Sequence, residues 1–291
     1  MSADVDWGHT DHVELGDGTR LLVRSTEATP TRPVLLVLAR HGGNSLEFAS
    51  VADDLAGHWC VVGVDVRGSG GSDWLPEDRG YSQQQWAADL VEVIERTGLE
   101  PTAAIGVSVG GLLIMDLHQR GALRLDRAAV VDIAPAWPEV PDPAAAAERM
   151  MTTQQLLVAS YPDAEAITEA WRTVQAEVWP GVDDEVVARS AAACTVEGED
   201  GWRFACDVAG FMTRPPADPP TLDRWDAWVS LTAATDTLVV RGGTSELLTE
   251  EAFERMIVGS RTRGIVAPGV GHWPPLELDP TRSNLVDWLT S

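Results

Sequence analysis

The stretch Thr102 to Gly111, reading Thr-Ala-Ala-Ile-Gly-Val-Ser-Val-Gly-Gly, constrains this chain more than any other. A run of small and β-branched residues ends in Gly106-Val107-Ser108-Val109-Gly110, and a helical pattern follows from Leu112 to Gln119. Strand, sharp turn and helix in immediate succession require a sheet whose strands end where helices begin. Glycines two before and two after the serine let the chain turn so tightly that the hydroxyl is pushed out beyond the carboxyl end of its strand. Ser108 is therefore the candidate nucleophile.

The rest of the chain supplies that sheet. Residues 12 to 25 alternate around Gly16-Asp17-Gly18, which predicts an antiparallel hairpin of His12 to Leu15 and Thr19 to Ser25. Val34 to Ala39 and Cys60 to Asp65 are continuous apolar runs suited to strands covered on both faces, each followed by a helical pattern, Leu46 to Ala56 and Gln83 to Arg96. Arg127 to Val131 is a further strand, with Asp132 at its carboxyl end. This alternation predicts a mostly parallel sheet flanked by helices. Residues 135–231 then show helical periodicity, proline-rich joints, no strand-like runs and six of the twelve tryptophans. We read them as a helical insertion over the sheet, dividing the chain into a core of residues 1–134 and 232–291 and a cap of 135–231. The strand–helix pattern resumes at Thr237 to Arg241, Glu250 to Val258, Arg263 to Ala267 and Thr281 to Leu289.

Composition narrows the chemistry. A formal net charge of -24 over 291 residues, with no local basic patch, argues against nucleic acid as a partner. The chain contains no lysine, which removes Schiff-base chemistry, a P-loop and a Ser-Lys dyad. Three cysteines, Cys60, Cys194 and Cys206, are odd in number and form no C-x-x-C pair, which fits reduced thiols and a cytoplasmic location. No apolar run approaches the ~20 residues that span a bilayer, so no membrane partner is expected. The acidic runs Asp4-Val5-Asp6 and Glu197 to Gly201 offer no ordered ligand set, and no metal is expected.

Four motifs, in order, carry a resemblance. They are His41-Gly42 after the first interior strand, Asp65-x-Arg67-Gly68-x-Gly70-x-Ser72 after the next, Gly106-x-Ser108-x-Gly110, and Gly269-x-Gly271-His272 before the last helix. Together they are similar to the pattern of the α/β-hydrolase fold superfamily. The resemblance covers nearly all of the chain outside the insertion, and implies an eight-stranded sheet with a helical cap after strand 6, as in capped, esterase-like serine hydrolases.

The resemblance also implies roles. His272, on a glycine-flanked loop, would be the general base for Ser108. The backbone N–H groups of Gly43 and Val109 would form the oxyanion hole, whereas His41 is mostly structural in such proteins. Arg67 is expected to pair with a carboxylate. For the acid two positions stay open. Many relatives carry it after the seventh strand in an Arg-Gly-x-x-Asp pattern, but here the segment is Arg241-Gly242-Gly243-Thr244-Ser245-Glu246, with serine at the aspartate position and Glu246 one residue late. Asp132, in Val130-Val131-Asp132-Ile133-Ala134-Pro135, is preferred because it follows its strand directly and has the shorter side chain. Of Trp137, Trp171, Trp179, Trp202, Trp225 and Trp228, roughly one to three should meet substrate, the rest forming the cap's own core.

The expected activity is hydrolysis of a carboxylic ester or lactone through an acyl-enzyme, with no organic cofactor. A serine at the turn argues against dehalogenase and epoxide hydrolase chemistry, where the corresponding nucleophile is an aspartate. The alternatives are a carbon–carbon bond hydrolase of vinylogous diketones, a cofactor-free lyase or cyclase, and a catalytically silent ligand-binding member of the same fold.

Overall fold

The computed structural model describes residues 7–136, 153–214, 218, 221, 223–272, 276 and 279–291. Two opening strands, β1 (His9–Glu14) and β2 (Arg20–Ser25), form the antiparallel hairpin expected around Gly16 to Gly18. Interior strands β3 (Val34–Leu38) and β4 (Cys60–Val64) are buried at every position, as their uninterrupted apolar runs require. Strands β5 (Pro101–Val107) and β6 (Arg127–Val131) complete the first half of the sheet. The connecting helices are α1 (Ala49–Leu55), preceded by a 3-10 turn over Ser45–Phe48, then α2 (Gln83–Thr97) and α3 (Val109–Gln119). The single helix expected from Leu46 to Ala56 is thus two pieces; Asn44 caps the first by accepting the Leu46 N–H.

Between β6 and the next core strand lie α4 (Ala164–Val178), α5 (Asp184–Cys194), β7 (Thr195–Gly198), β8 (Gly201–Phe204), α6 (Val208–Met212) and α7 (Trp225–Ala234). The expectation that this segment lacks strands is corrected. β7 and β8 form an antiparallel hairpin, and the acidic run Glu197 to Gly201 is its turn, with Gly201 at φ +108°. Strands of four residues, mostly half-exposed or exposed, carry too short an alternation to stand out in sequence.

The chain then returns through β9 (Asp236–Gly242), α8 (Glu250–Met256), β10 (Thr262–Ala267) and α9 (Thr281–Thr290). The eight core strands run in the order β1-β2-β4-β3-β5-β6-β9-β10, antiparallel at β1–β2 and β2–β4 and parallel elsewhere. Alternate residues of β3 feed two cores: Leu36 and Leu38 pack beneath α2, α3 and α7, while Leu35 and Val37 pack with α1 and α9 on the other face. Ile167 and Trp171 of α4 and Val187 and Ala191 of α5 join that second core, so this segment packs with the sheet. Among the described residues no helix is long and apolar enough to cross a membrane.

Candidate active site

Ser108 sits between β5 and α3 with φ +52° and ψ −120°, a conformation that a side chain other than glycine's rarely takes. The surroundings hold it there. Its N–H donates to the Val131 carbonyl at 2.8 Å, and its own carbonyl accepts the Gly111 N–H at 2.8 Å. The flanking glycines are steric necessities: a Cβ on Gly106 would collide with the backbone of Gly110, and one on Gly110 with the Leu38 carbonyl. The strained turn leaves the serine 7% exposed, facing a cavity. Val109 begins α3, so its N–H belongs to the first turn, which has no intrahelical acceptor.

Asp132, immediately after β6, is the other non-glycine residue with positive φ among the described residues, at +55°. Its N–H donates to the Val240 carbonyl at 2.7 Å. The carboxylate is fully buried and saturated with donors. Oδ1 accepts the Gly242 N–H at 2.7 Å, and Oδ2 accepts the Ser245 hydroxyl at 2.6 Å. The same Oδ2 lies 2.9 Å from Nδ1 of His272. Glu246 is exposed on the loop after β9. The structure therefore brings Asp132, and not Glu246, to the imidazole. Ser245, at the position where many relatives carry the acid, instead donates a hydrogen bond to Asp132. With Nδ1 on the carboxylate, Nε2 is the ring nitrogen left for a reacting group. The histidine loop is itself pinned from the inserted segment, since Gly271 donates to the Val178 carbonyl at the end of α4 at 2.6 Å.

The expectation for Gly43 is corrected. Its N–H donates to the Arg40 carbonyl at 3.0 Å, closing a tight turn, and the residue is buried against the Arg40 and Glu47 side chains rather than facing the cavity. Gly42, at φ +71°, lines the cavity in its place. The error is one residue in a Gly-Gly pair, and only the closure of the turn distinguishes the two.

Ser108, Val109, Gly42 and His272 all line one cavity of about 580 Å³, a size ordinary for small-molecule sites. Its walls come from the core (Trp86, Leu112, Ile133) and from the inserted segment (Trp171, Val174, Val178, Phe204, Phe211). Of the tryptophans singled out in the insertion, Trp171 reaches the cavity. Trp179 packs with Ala267 and Val270, Trp228 is buried in the sheet-facing core, Trp225 lies beneath the Arg255 guanidinium at 3.6 Å, and Trp202 pairs with Tyr161. Trp137 lies outside the described residues.

The cavity takes in His41, read from the sequence as mostly structural, and several residues to which the sequence reading gave no role. His41 opens onto the cavity, edge-on to Phe211 at 4.5 Å and to Trp86 at 5.7 Å. Enclosure by protein, together with the neighbouring Arg40 charge, lowers its pKa from 6.5 to about 4, so the ring is neutral near pH 7. Arg40 pairs with Glu47 at 2.6 Å and lies 5.3 Å from the Trp171 ring. Tyr81 donates to Asp207, which also pairs with Arg214 at 2.8 Å. Cys206 lines the cavity too, but burial pushes its thiol up to about 12, leaving it protonated and a poor competitor to Ser108. Apart from the His41-Gly42 motif, no periodicity or motif marks these groups, because they converge from distant elements. Arg67, by contrast, pairs as expected: it is buried and binds both oxygens of Asp89, at 2.6 and 2.7 Å, and Asp17 at 3.1 Å. Among the described residues no group of three or more His, Cys, Asp or Glu side chains is placed to hold a metal ion.

Comparison with known proteins agrees with this fold. A sequence model of the alpha/beta hydrolase family matches residues 34–282. A 3-hydroxybutyrate-oligomer hydrolase of Cupriavidus necator is 28% identical over 272 residues, covering 87% of each chain. The esterase YbfF of Escherichia coli K12 is 24% identical over 244 residues, covering 83% of this chain and 86% of its own. Among solved structures, an alpha/beta hydrolase from Novosphingobium aromaticivorans superposes with a TM-score of 0.83 at 27% identity, covering 96% of this chain and 98% of that one.

Proposed function

The chain belongs to the alpha/beta hydrolase family, and we propose that within it the protein is a serine hydrolase that cleaves a carboxylic ester or lactone through an acyl-enzyme. The observation that carries this reading is that His272, hydrogen-bonded to the buried Asp132, and the strained Ser108 open onto one cavity. Ser108 attacks the carbonyl while Nε2 of His272 takes its proton. Asp132 holds the tautomer with Nδ1 protonated and stabilises the imidazolium. The Val109 N–H and, in place of Gly43, the N–H of Gly42 receive the oxyanion. The imidazolium then protonates the leaving alcohol, and water activated by the same base releases the acid. Residues 135–231 act as the cap, since side chains of α4 and α5 share the cavity wall with the core. The names of the Cupriavidus and Escherichia relatives support an ester as substrate. Three free cysteines fit a cytoplasmic setting.

The test is intact mass after brief exposure to a fluorophosphonate, run beside Ser108→Ala, followed by rates on activated esters and on a vinylogous diketone. We expect one adduct, absent in the variant, and turnover of esters. Labelling that persists in Ser108→Ala, or diketone cleavage far faster than any ester hydrolysis, would overturn the assignment.

A further inference from the structure

Hydrogen bonding around the cavity leaves a buried carboxamide without a partner among the described residues. Gln175, on α4, is 1% exposed and lines the cavity, and neither its Oε1 nor its Nε2 has a hydrogen-bond partner among the described residues. It lies on the buried stripe of α4, with Ile167, Ala170 and Trp171, where an apolar side chain would pack equally well. A buried carboxamide with both ends unpaired is costly, and most such groups in folded proteins are paired. To meet a ligand in the cavity that the residue borders, the amide would turn about its long side chain. Across the site, His41 faces the same cavity from the core, held by ring contacts with Trp86 and Phe211, and no hydrogen bond satisfies its nitrogens among the described residues.

The two arginines that line the cavity, by contrast, are matched. Arg40 is paired with Glu47, Arg214 with Asp207, and Asp218 accepts from Ser82. An anionic substituent would therefore have to displace an existing ion pair. A neutral group that both donates and accepts would not. We propose that Gln175 and His41 form a polar subsite that recognises a hydroxyl on the substrate's acyl chain, making hydroxyalkanoic esters the preferred class. Oε1 of Gln175 accepts the hydroxyl proton or Nε2 donates to its oxygen, and a neutral imidazole serves in either sense. This inference rests on the ester-hydrolase reading of Ser108 and His272.

The experiment compares kcat/KM for p-nitrophenyl hexanoate and its 2-hydroxy, 3-hydroxy and 6-hydroxy analogues, each corrected for its alkaline hydrolysis rate. The chain as isolated is run beside Gln175→Met and His41→Phe, with melting temperature and fluorophosphonate labelling confirming that both variants fold. We expect at least one hydroxylated ester to be preferred about tenfold or more over hexanoate, a modest gain for one desolvated hydrogen bond. At least one of the two variants should reduce that preference about fivefold or more. Equal rates across the series, or a preference unchanged in both folded variants, would overturn the subsite while leaving the ester reading standing. Failure to hydrolyse any of the esters would overturn that reading and the subsite with it.

Discussion

Replacing Asp132 with asparagine tests the site where its geometry is most specific. Asparagine is nearly isosteric and, like aspartate, tolerates the left-handed φ of +55° that an alanine would resist. Its amide oxygen still accepts the Gly242 N–H, and its NH2 then faces both the Ser245 hydroxyl and Nδ1 of His272, which lie 2.6 and 2.9 Å from Oδ2. Ser245 can rotate to accept. The imidazole can accept only by moving its proton to Nε2, which disables the nitrogen that must receive the Ser108 proton. The number of hydrogen bonds is thus preserved and their chemistry reversed. Hydrogen bonds to charged groups contribute about 1 kcal/mol more than neutral ones, but a buried carboxylate is also relieved of its desolvation cost. Net stability should change by about 1–2 kcal/mol, a few degrees in Tm. Turnover, by contrast, should fall by about 10³–10⁴, equivalent to about 4–5.5 kcal/mol of transition-state stabilisation. Initial rates on p-nitrophenyl butyrate, with calorimetry on the same preparation, measure both quantities. Activity within tenfold of the parent in a folded variant would refute the assignment of Asp132 as the acid.

Three further outcomes follow from the same contacts. Ser245→Asp in the Asp132→Asn background returns a carboxylate to within reach of His272 and should recover activity at least about tenfold, read as initial rates; no recovery in a folded double variant would show that only the end of β6 can seat the acid. Arg67→Leu leaves Asp89 buried without its cation, and burial already pushes the Asp89 carboxyl up. It should lower stability by about 3–5 kcal/mol, with Arg67→Leu/Asp89→Leu regaining most of it in calorimetry. For His41 the folded pKa of about 4 lies below the ordinary 6.5, so the unfolded chain takes up this proton first. Its destabilising effect is absent above pH 6.5 and grows as pH falls toward 4. Water in the cavity screens the ring and reduces the effect without changing its sign. The Tm of the parent should fall more than that of His41→Phe between pH 6.5 and 4.5, and parallel curves would refute the lowered pKa.

What could be read from sequence was what backbone sterics dictate. The runs Val34 to Leu38 and Cys60 to Val64 are buried on both faces and announce interior strands. Gly106 and Gly110 announce the turn at Ser108 because no side chain fits against the backbone there. The illegible parts depend on where unlike segments meet. Whether Gly42 or Gly43 faces the cavity depends on one hydrogen bond to Arg40. The four-residue strands β7 and β8 are defined by their pairing rather than by their residues. His41 gains cavity exposure from the packing of Phe211 and Trp86, and Gln175 is unusual only because the stripe around it is apolar.

The position proposed for the acid follows a physical logic that neither strand shows alone. A carboxylate at the end of β6 is buried more deeply than one on a loop, and it is tolerable there only if both oxygens are saturated. The donors that saturate it come from β9 and the turn after it: the Gly242 N–H for one oxygen, the Ser245 hydroxyl for the other. That turn is where the sequence pattern of many relatives would put the acid itself. In this chain the two strand ends exchange roles, β6 supplying the charge and β9 the hydrogen bonds that hold it. The serine at 245 is then the partner that an aspartate at 132 requires. An aspartate at 245 beside Asp132 would set two carboxylates against each other, with one forced to keep its proton.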